Sequence, residues 1–273
     1  MPSEPGAPTT KSAGFTSTES FIDETIKYVK EGAARGIPLR IVGGVGIYVH
    51  SMKEKELWTK LDRLPNKVFP DVDYASRSNY SQKILELFES LGYAANRSVF
   101  LLHGDTRAIF YGDKIPVIDV FMDKLNFCHP IDLRKRLEID NPTIPLADLL
   151  LQKLQIVQLN EKDVKDTILL LKAHELGAAD NETINIEYVA KLLSDDWGFN
   201  YTVATNLDKV KQYLVNTEAL ASYRDEIFGK IEKINKRTES EPKSMRWKLR
   251  AKVGARSKWY QDVSDVAHTE QPM

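Results

Sequence analysis

The run Ile115-Pro116-Val117-Ile118-Asp119-Val120-Phe121-Met122 constrains the fold of this chain more than any other stretch. Side chains alternate faces along a strand. Here both faces are apolar, so the spacing predicts a buried strand over 115–122, of the kind found in a sheet flanked by helices. Asp119 stands alone among these residues. A buried carboxylate is costly unless it is paired or coordinates a metal. One way to satisfy it is an arginine partner, with Arg40, Arg77 and Arg107 as candidates. The other is a place beside further acids around a cation.

Further acids stand in Pro70-Asp71-Val72-Asp73-Tyr74, just after Lys67-Val68-Phe69. In a strand Asp71 and Asp73 project the same way, about 6.5 Å apart at Cα, while Val72 enters the core. Like charges that close repel unless a proton or cation lies between them. Hard divalent cations such as Mg²⁺ are held by one or two carboxylates plus substrate phosphates. A solvated acidic turn is the plainer reading of these five residues.

The strand Leu39-Arg40-Ile41-Val42 runs into Gly43-Gly44-Val45-Gly46 and a helix over 45–52. A sharp turn of that kind brings backbone N–H groups and a helix N-terminus close to phosphate. The third glycine of a dinucleotide fingerprint is missing, because Val49 stands there, and no Walker lysine follows.

The rest of the chain sets the frame. Residues 1–18 are rich in Pro, Gly, Ser and Thr and read as a disordered tail. Ser20 is the expected cap of a helix over 21–34, and Ser78 of a helix ending at Gly92. The charged segment 53–67 reads as loop or irregular helix. Strands are expected over 98–102 and 107–111 as a hairpin, then over 115–122. From about 130 the pattern is helical, with helices over 146–159, 161–176, 186–196, 206–216 and 218–235. The fold class is therefore α+β: a small mixed sheet with flanking helices, then a helical C-terminal half. The expected division is a tail 1–18, an α/β core 19–140, a helical domain 141–235 and a basic tail 236–273, with the joint near Asn141-Pro142.

Charge separates few classes, since 38 Lys and Arg nearly balance 39 Asp and Glu over 273 residues. Cys128 is the single cysteine, which leaves no disulfide framework and suits a reducing cytoplasm. Neither a transmembrane run nor a signal peptide is expected. His50, His103, His129 and His174 have no ligand spacing and read as structural. Between Lys243 and Tyr260, seven basic residues occur with no acid, interleaved with Trp247, Trp259 and Tyr260. That pattern suits single-stranded nucleic acid. It equally suits a tail that packs its tryptophans on the core and turns its charges to water.

Taken together, Gly43-Gly44, Asp71-x-Asp73 and the distal Asp119 resemble the DNA-polymerase-beta-type nucleotidyltransferase superfamily. The nearest likeness is to minimal nucleotidyltransferases of the abortive-infection toxin type. Pro145-Leu146-Ala147-Asp148-Leu149-Leu150-Leu151-Gln152-Lys153-Leu154 and Glu161-Lys162-Asp163-Val164-Lys165-Asp166 are similar to that group's lysine helix and Lys-Asp-x-x-Asp helix. The likeness covers roughly residues 38–172, and the gap from Gly44 to Asp71 is wider than the family pattern.

The resemblance implies a Mg²⁺-dependent enzyme that moves a nucleoside monophosphate from a nucleoside triphosphate, such as ATP, to a hydroxyl. A catalytically silent nucleotide-binding or interaction module of the same fold is the alternative. It implies that Gly43 and Gly44 hold the triphosphate through their backbone. Asp71, Asp73 and Asp119 would bind metal, and Asp119 would help activate the acceptor hydroxyl. Lys153 would meet a phosphate, with Asp163 or Asp166 orienting it. An RNA or protein acceptor and an antitoxin-like partner complete what the resemblance implies.

Overall fold

The computed structural model describes residue 15, residues 17–63 and residues 69–263. Nearly all of the tail expected over 1–18 lies outside the described residues, as do 64–68 of the charged segment and 264–273 of the basic tail.

Helix α1 (Thr18–Ala34) buries Phe21, Ile22, Tyr28 and Val29. Its cap is Ser17, not Ser20. Ser20 sits three residues in and completes a reciprocal capping box with Ser17. Strand β1 (Arg40–Val42) leads directly into α2 (Gly43–Ser51). A short helix α3 (Lys55–Lys60) precedes strand β2 (Asp71–Ser76). Ser78 does not cap the next helix: its hydroxyl donates to Asp123 Oδ2 at 2.7 Å, and a 3₁₀ turn leads into α4 (Ser81–Ser90).

The first clear departure from expectation follows β3 (Ala94–Ala95). Residues 98–102 are not a strand but lie within helix α5 (Arg97–His103). Asn96 decides this, because its side chain accepts the N–H of Val99 and starts a helix. The apolar run misleads because Leu101 and Leu102 face solvent, at 83% and 75% exposure. The partner that β4 (Arg107–Tyr111) finds is instead β3, with Ala94 opposite Tyr111.

Strand β5 (Val117–Met122) is central. A hairpin of β6 (Lys124–Asn126) and β7 (Pro130–Asp132) then takes the start of the stretch expected to be helical. Helices begin only at α6 (Leu146–Leu154), followed by α7 (Glu161–Ala173). A two-stranded parallel pair, β8 (Leu176–Gly177) and β9 (Ile184–Asn185), precedes α8 (Ile186–Leu193). Helix α9 (Trp197–Asn216) starts well before the expected 206, because Asp196 caps it through the N–H of Phe199. Helices α10 (Arg224–Ser240) and α11 (Met245–Val253) complete the described chain.

The main sheet has the order β1-β2-β5-β4-β3, with β2 and β5 parallel and the other pairs antiparallel. Its two faces differ. Val72, Tyr74, Ile118, Val120 and Phe110 point to one side and share a core with α1 and α4. Asp71, Asp73, Asp119 and Arg107 alternate with these and so point to the other side. That side is roofed by α2, α6 and α7, whose Ile47, Leu149, Leu150, Ile168 and Leu171 are fully buried. The architecture is thus α+β, a mixed sheet with flanking helices and a helical C-terminal half. Among the described residues no helix is long and apolar enough to cross a membrane.

The helix over 97–103 has a direct check. Asn96→Ala should destabilise the protein by about 1 kcal/mol, the usual cost of a lost N-cap, as read by urea unfolding. A neutral outcome would argue against a helix there.

Candidate active site

The acidic face is built by register. Asp73 on β2 lies beside Asp119 on β5, and Asp71 beside Val117, in a parallel pair. Neighbours in register point the same way, so Asp73 and Asp119 share a face, and Asp71 joins them two residues along β2. Asp71 is exposed, Asp73 half-buried and Asp119 7% exposed. Burial, then the charges of Asp71 and Asp119, push the Asp73 carboxyl well above the usual carboxylate range; Lys153 and Arg107 pull the other way.

Of the three candidate arginines, Arg107 is the partner of Asp119. Its Nε lies 3.0 Å from both carboxylate oxygens and its Nη2 2.5 Å from Oδ2. Arg107 follows from β4 lying next to β5: Ile109 pairs with Asp119, and Arg107 stands two residues along, on the same face. Burial works to lower its pKa, but Asp119 and Asp73 hold it above the usual arginine value. Asp119 is therefore both on the acid face and bound to an arginine.

Gly43 forms the near wall. Its φ is +67°, a left-handed conformation that side chains rarely adopt. A Cβ there would lie 2.5 Å from Asp73 Oδ2, so the turn admits only glycine while the carboxylate stays in place. The Gly43 N–H donates to Gln152 Oε1 at 2.9 Å. The resemblance gives that amide to a phosphate; in this arrangement it is already committed to α6. Gly44 lies under a second cluster, 3.1 Å by its would-be Cβ from Arg63 Nη2 and 3.8 Å from Asp166 Oδ2.

That second cluster contains Lys153. Its Nζ bridges Asp163 at 2.9 Å and Asp166 at 3.0 Å. Burial alone would lower its pKa, but the two carboxylates hold it above the usual lysine value. Asp166 is fully buried, yet Lys153 and a bidentate Arg63 keep its carboxyl below the usual range. The Lys-Asp-x-x-Asp spacing puts Asp163 and Asp166 one turn apart on α7. The sequence suggests a lysine with a packed stem and a head free to enter a cleft. Instead the head is sequestered between two acids, though close enough to act on Asp73.

Asp71, Asp73 and Asp119 thus share one sheet face with Gly43 beside Asp73, while Lys153, Asp163 and Asp166 form a second cluster next to Gly44. Sequence reasoning missed Arg63 and Gln152. Arg63 sits in a charged segment where nothing sets it apart from its neighbours. Gln152 adjoins Lys153, but an exposed helix face would explain a glutamine equally well.

No family model matches the chain, and no curated protein matches it.

Among the described residues, no group of three or more His, Cys, Asp or Glu side chains is gathered closely enough to close on an ion as it stands. The donor chemistry nevertheless fits a hard cation. Asp73 holds a proton unusually well because burial and two neighbouring acids disfavour its ionised form, and a bound cation would take that proton's place. Asp119 is shared with Arg107.

Two outcomes follow. Gly43→Ala should cost more than about 2 kcal/mol through left-handed strain and collision with Asp73. Gly44→Ala, tight only against the tip of Arg63, should cost less than about 1 kcal/mol. Denaturant unfolding of the two variants decides whether the wall is as rigid as described.

The second outcome concerns pH. Because folding raises the Asp73 pKa, the folded state binds its proton more readily than the unfolded chain. Its contribution to stability is present below the unfolded value near ~4 and lost as pH rises toward the raised folded value. In chelator-treated buffer Asp73→Asn should therefore melt higher than wild type at pH 7, with the gap closing near pH 4. A gap independent of pH would contradict the electrostatics.

Proposed function

We propose that this protein is a nucleotidyltransferase that moves a nucleoside monophosphate from a nucleoside triphosphate to a hydroxyl acceptor. The observation that carries the reading is the register of Asp73 with Asp119 on parallel strands, beside the glycine turn and within electrostatic reach of Lys153. In this reading Asp71 and Asp73 hold Mg²⁺, which neutralises charge on the triphosphate when bound. The acceptor oxygen forms a bond to the α-phosphorus as the bond to pyrophosphate breaks. Asp119, fixed by Arg107, takes the acceptor proton. Lys153 turns from Asp163 and Asp166 toward the departing phosphates, while the two acids keep it charged and aimed. The protein's work is positioning and charge neutralisation, as this chemistry requires. The buried, single Cys128 suits a reducing cytoplasm. RNA or protein as acceptor, and an antitoxin-like partner, rest on the resemblance alone.

A second reading has specific support: a silent nucleotide-binding module of the same fold. The carboxylate of Asp119, the head of Lys153 and the amide of Gly43 all have protein partners already.

Incubation with each of four α-labelled nucleoside triphosphates, total RNA and Mg²⁺ separates the two. The transferase reading expects label transfer from at least one nucleotide to RNA or to protein. Asp73→Asn should lower it at least about a hundredfold, equal to about 2.7 kcal/mol of barrier. Nucleotide binding by calorimetry without any transfer would favour the silent module. Neither binding nor transfer would end both.

A further inference from the structure

We propose that a cavity between the C-terminal tail and the start of α9 binds single-stranded nucleic acid. The proposal stands apart from the transfer reading and uses none of its residues. The cavity has a volume of about 400 Å³, within the usual range for ligand sites. Arg246, Arg250 and Lys258 line it together with Trp197, Trp259 and Tyr260.

The tail that forms one wall is firmly seated. Trp259 Nε1 donates to Thr202 Oγ1 at 3.0 Å, and the N–H of Gln261 donates to the carbonyl of Cys128 at 3.1 Å. A Cβ on Gly198 would lie 2.5 Å from the Trp259 carbonyl oxygen, so α9 and the tail touch backbone to backbone. The tryptophan therefore does pack on the core, as one reading of the tail expects. The charges, however, gather at the cavity beside aromatic rings. The Arg250 guanidinium lies 5.2 Å over Trp197 and the Lys258 ammonium 5.1 Å over Tyr260.

Arg250 is occupied in holding the tail, donating to the carbonyls of Gly254 and Ser257. Arg246 and Lys258 have side chains 72% and 50% exposed. Arg246 faces Asp196, which caps α9 and lines the cavity, at 3.3 Å, and exposed Asp195 at 3.9 Å, while Lys258 pairs with exposed Asp262. Such pairs contribute little and yield readily to a phosphate. Aromatic faces for bases beside cations for the backbone are what single-stranded recognition uses. Beyond the cavity, Lys248, Lys252 and Arg256 are exposed, and no acid occurs from 243 to 260. A polyanion uses that extension; a small molecule has no use for it.

The test is fluorescence anisotropy with the full chain and labelled twelve-nucleotide oligouridylate and oligodeoxythymidylate. Both should bind, since stacking and phosphate contacts do not read the 2′-hydroxyl. The double variant R246Q/K258Q should bind at least tenfold more weakly. The slope of log affinity on log salt should shrink by about 1.4, at about 0.7 per phosphate contact. Its melting temperature should match wild type, as only exposed pairs are removed. Tyr260→Ala, which leaves the charges intact, should weaken binding at least fivefold. Affinities poorer than about 100 μM for both oligonucleotides, or unchanged in both variants, would overturn the proposal. So would displacement of the oligonucleotide by inorganic phosphate as effectively as by uridine monophosphate.

Discussion

The parallel pairing of β2 with β5 sets two carboxylates side by side on one face of the sheet, and the surrounding structure answers that charge. Adjacent strands lie about 4.8 Å apart, so Asp73 and Asp119 cannot avoid one another. One answer comes from inside the sheet, as β4 supplies Arg107 to Asp119. The chain turn at β1 leaves Asp73 room, because Gly43 carries no side chain where a Cβ would lie 2.5 Å from Asp73 Oδ2. The remaining repulsion stays on Asp73.

The two faces of the sheet divide the labour. The face under α1 and α4 is mainly apolar and stabilises the fold by burial. The opposite face carries the acids, and the helical half closes over it. That half brings charge as well as cover. Lys153 on α6 and Asp163 and Asp166 on α7 form a buried cluster tied to Arg63. Breaking one partner of such a cluster strands a charge in the interior, so folding and site integrity are coupled at Lys153. The helices packed on the sheet thereby take part in the site.

Much of this was legible in the sequence where a residue had a single physical role. Asp119 inside an apolar strand demanded a partner, and Arg107 was among the three arginines considered. Alternation along 71–73 put both acids on one face with Val72 in the core. Reading failed where local chemistry overruled pattern. The run 98–102 looks like a strand because four of its five residues are apolar, but the cap at Asn96 makes it helical and both its leucines stay in water. Ser78 looks like a cap yet serves Asp123. The start of α9 was missed because its first turn, Trp197-Gly198-Phe199-Asn200, lacks helical periodicity and depends on Asp196. Arg63 and Gln152 could not be found, since their roles exist only once α2, α6 and α7 are packed together.

The central claim is that Asp73 is a carboxylate left short of positive charge in a site suited to a cation. Thermal unfolding in chelator-treated buffer, with and without saturating Mg²⁺, tests it most directly for wild type and Asp73→Asn. A ligand at a hundred times its dissociation constant stabilises the folded state by about 2.7 kcal/mol. Wild type should gain several degrees on adding Mg²⁺, and Asp73→Asn should gain little or nothing. Equal gains in both proteins, or none in wild type, would contradict the account.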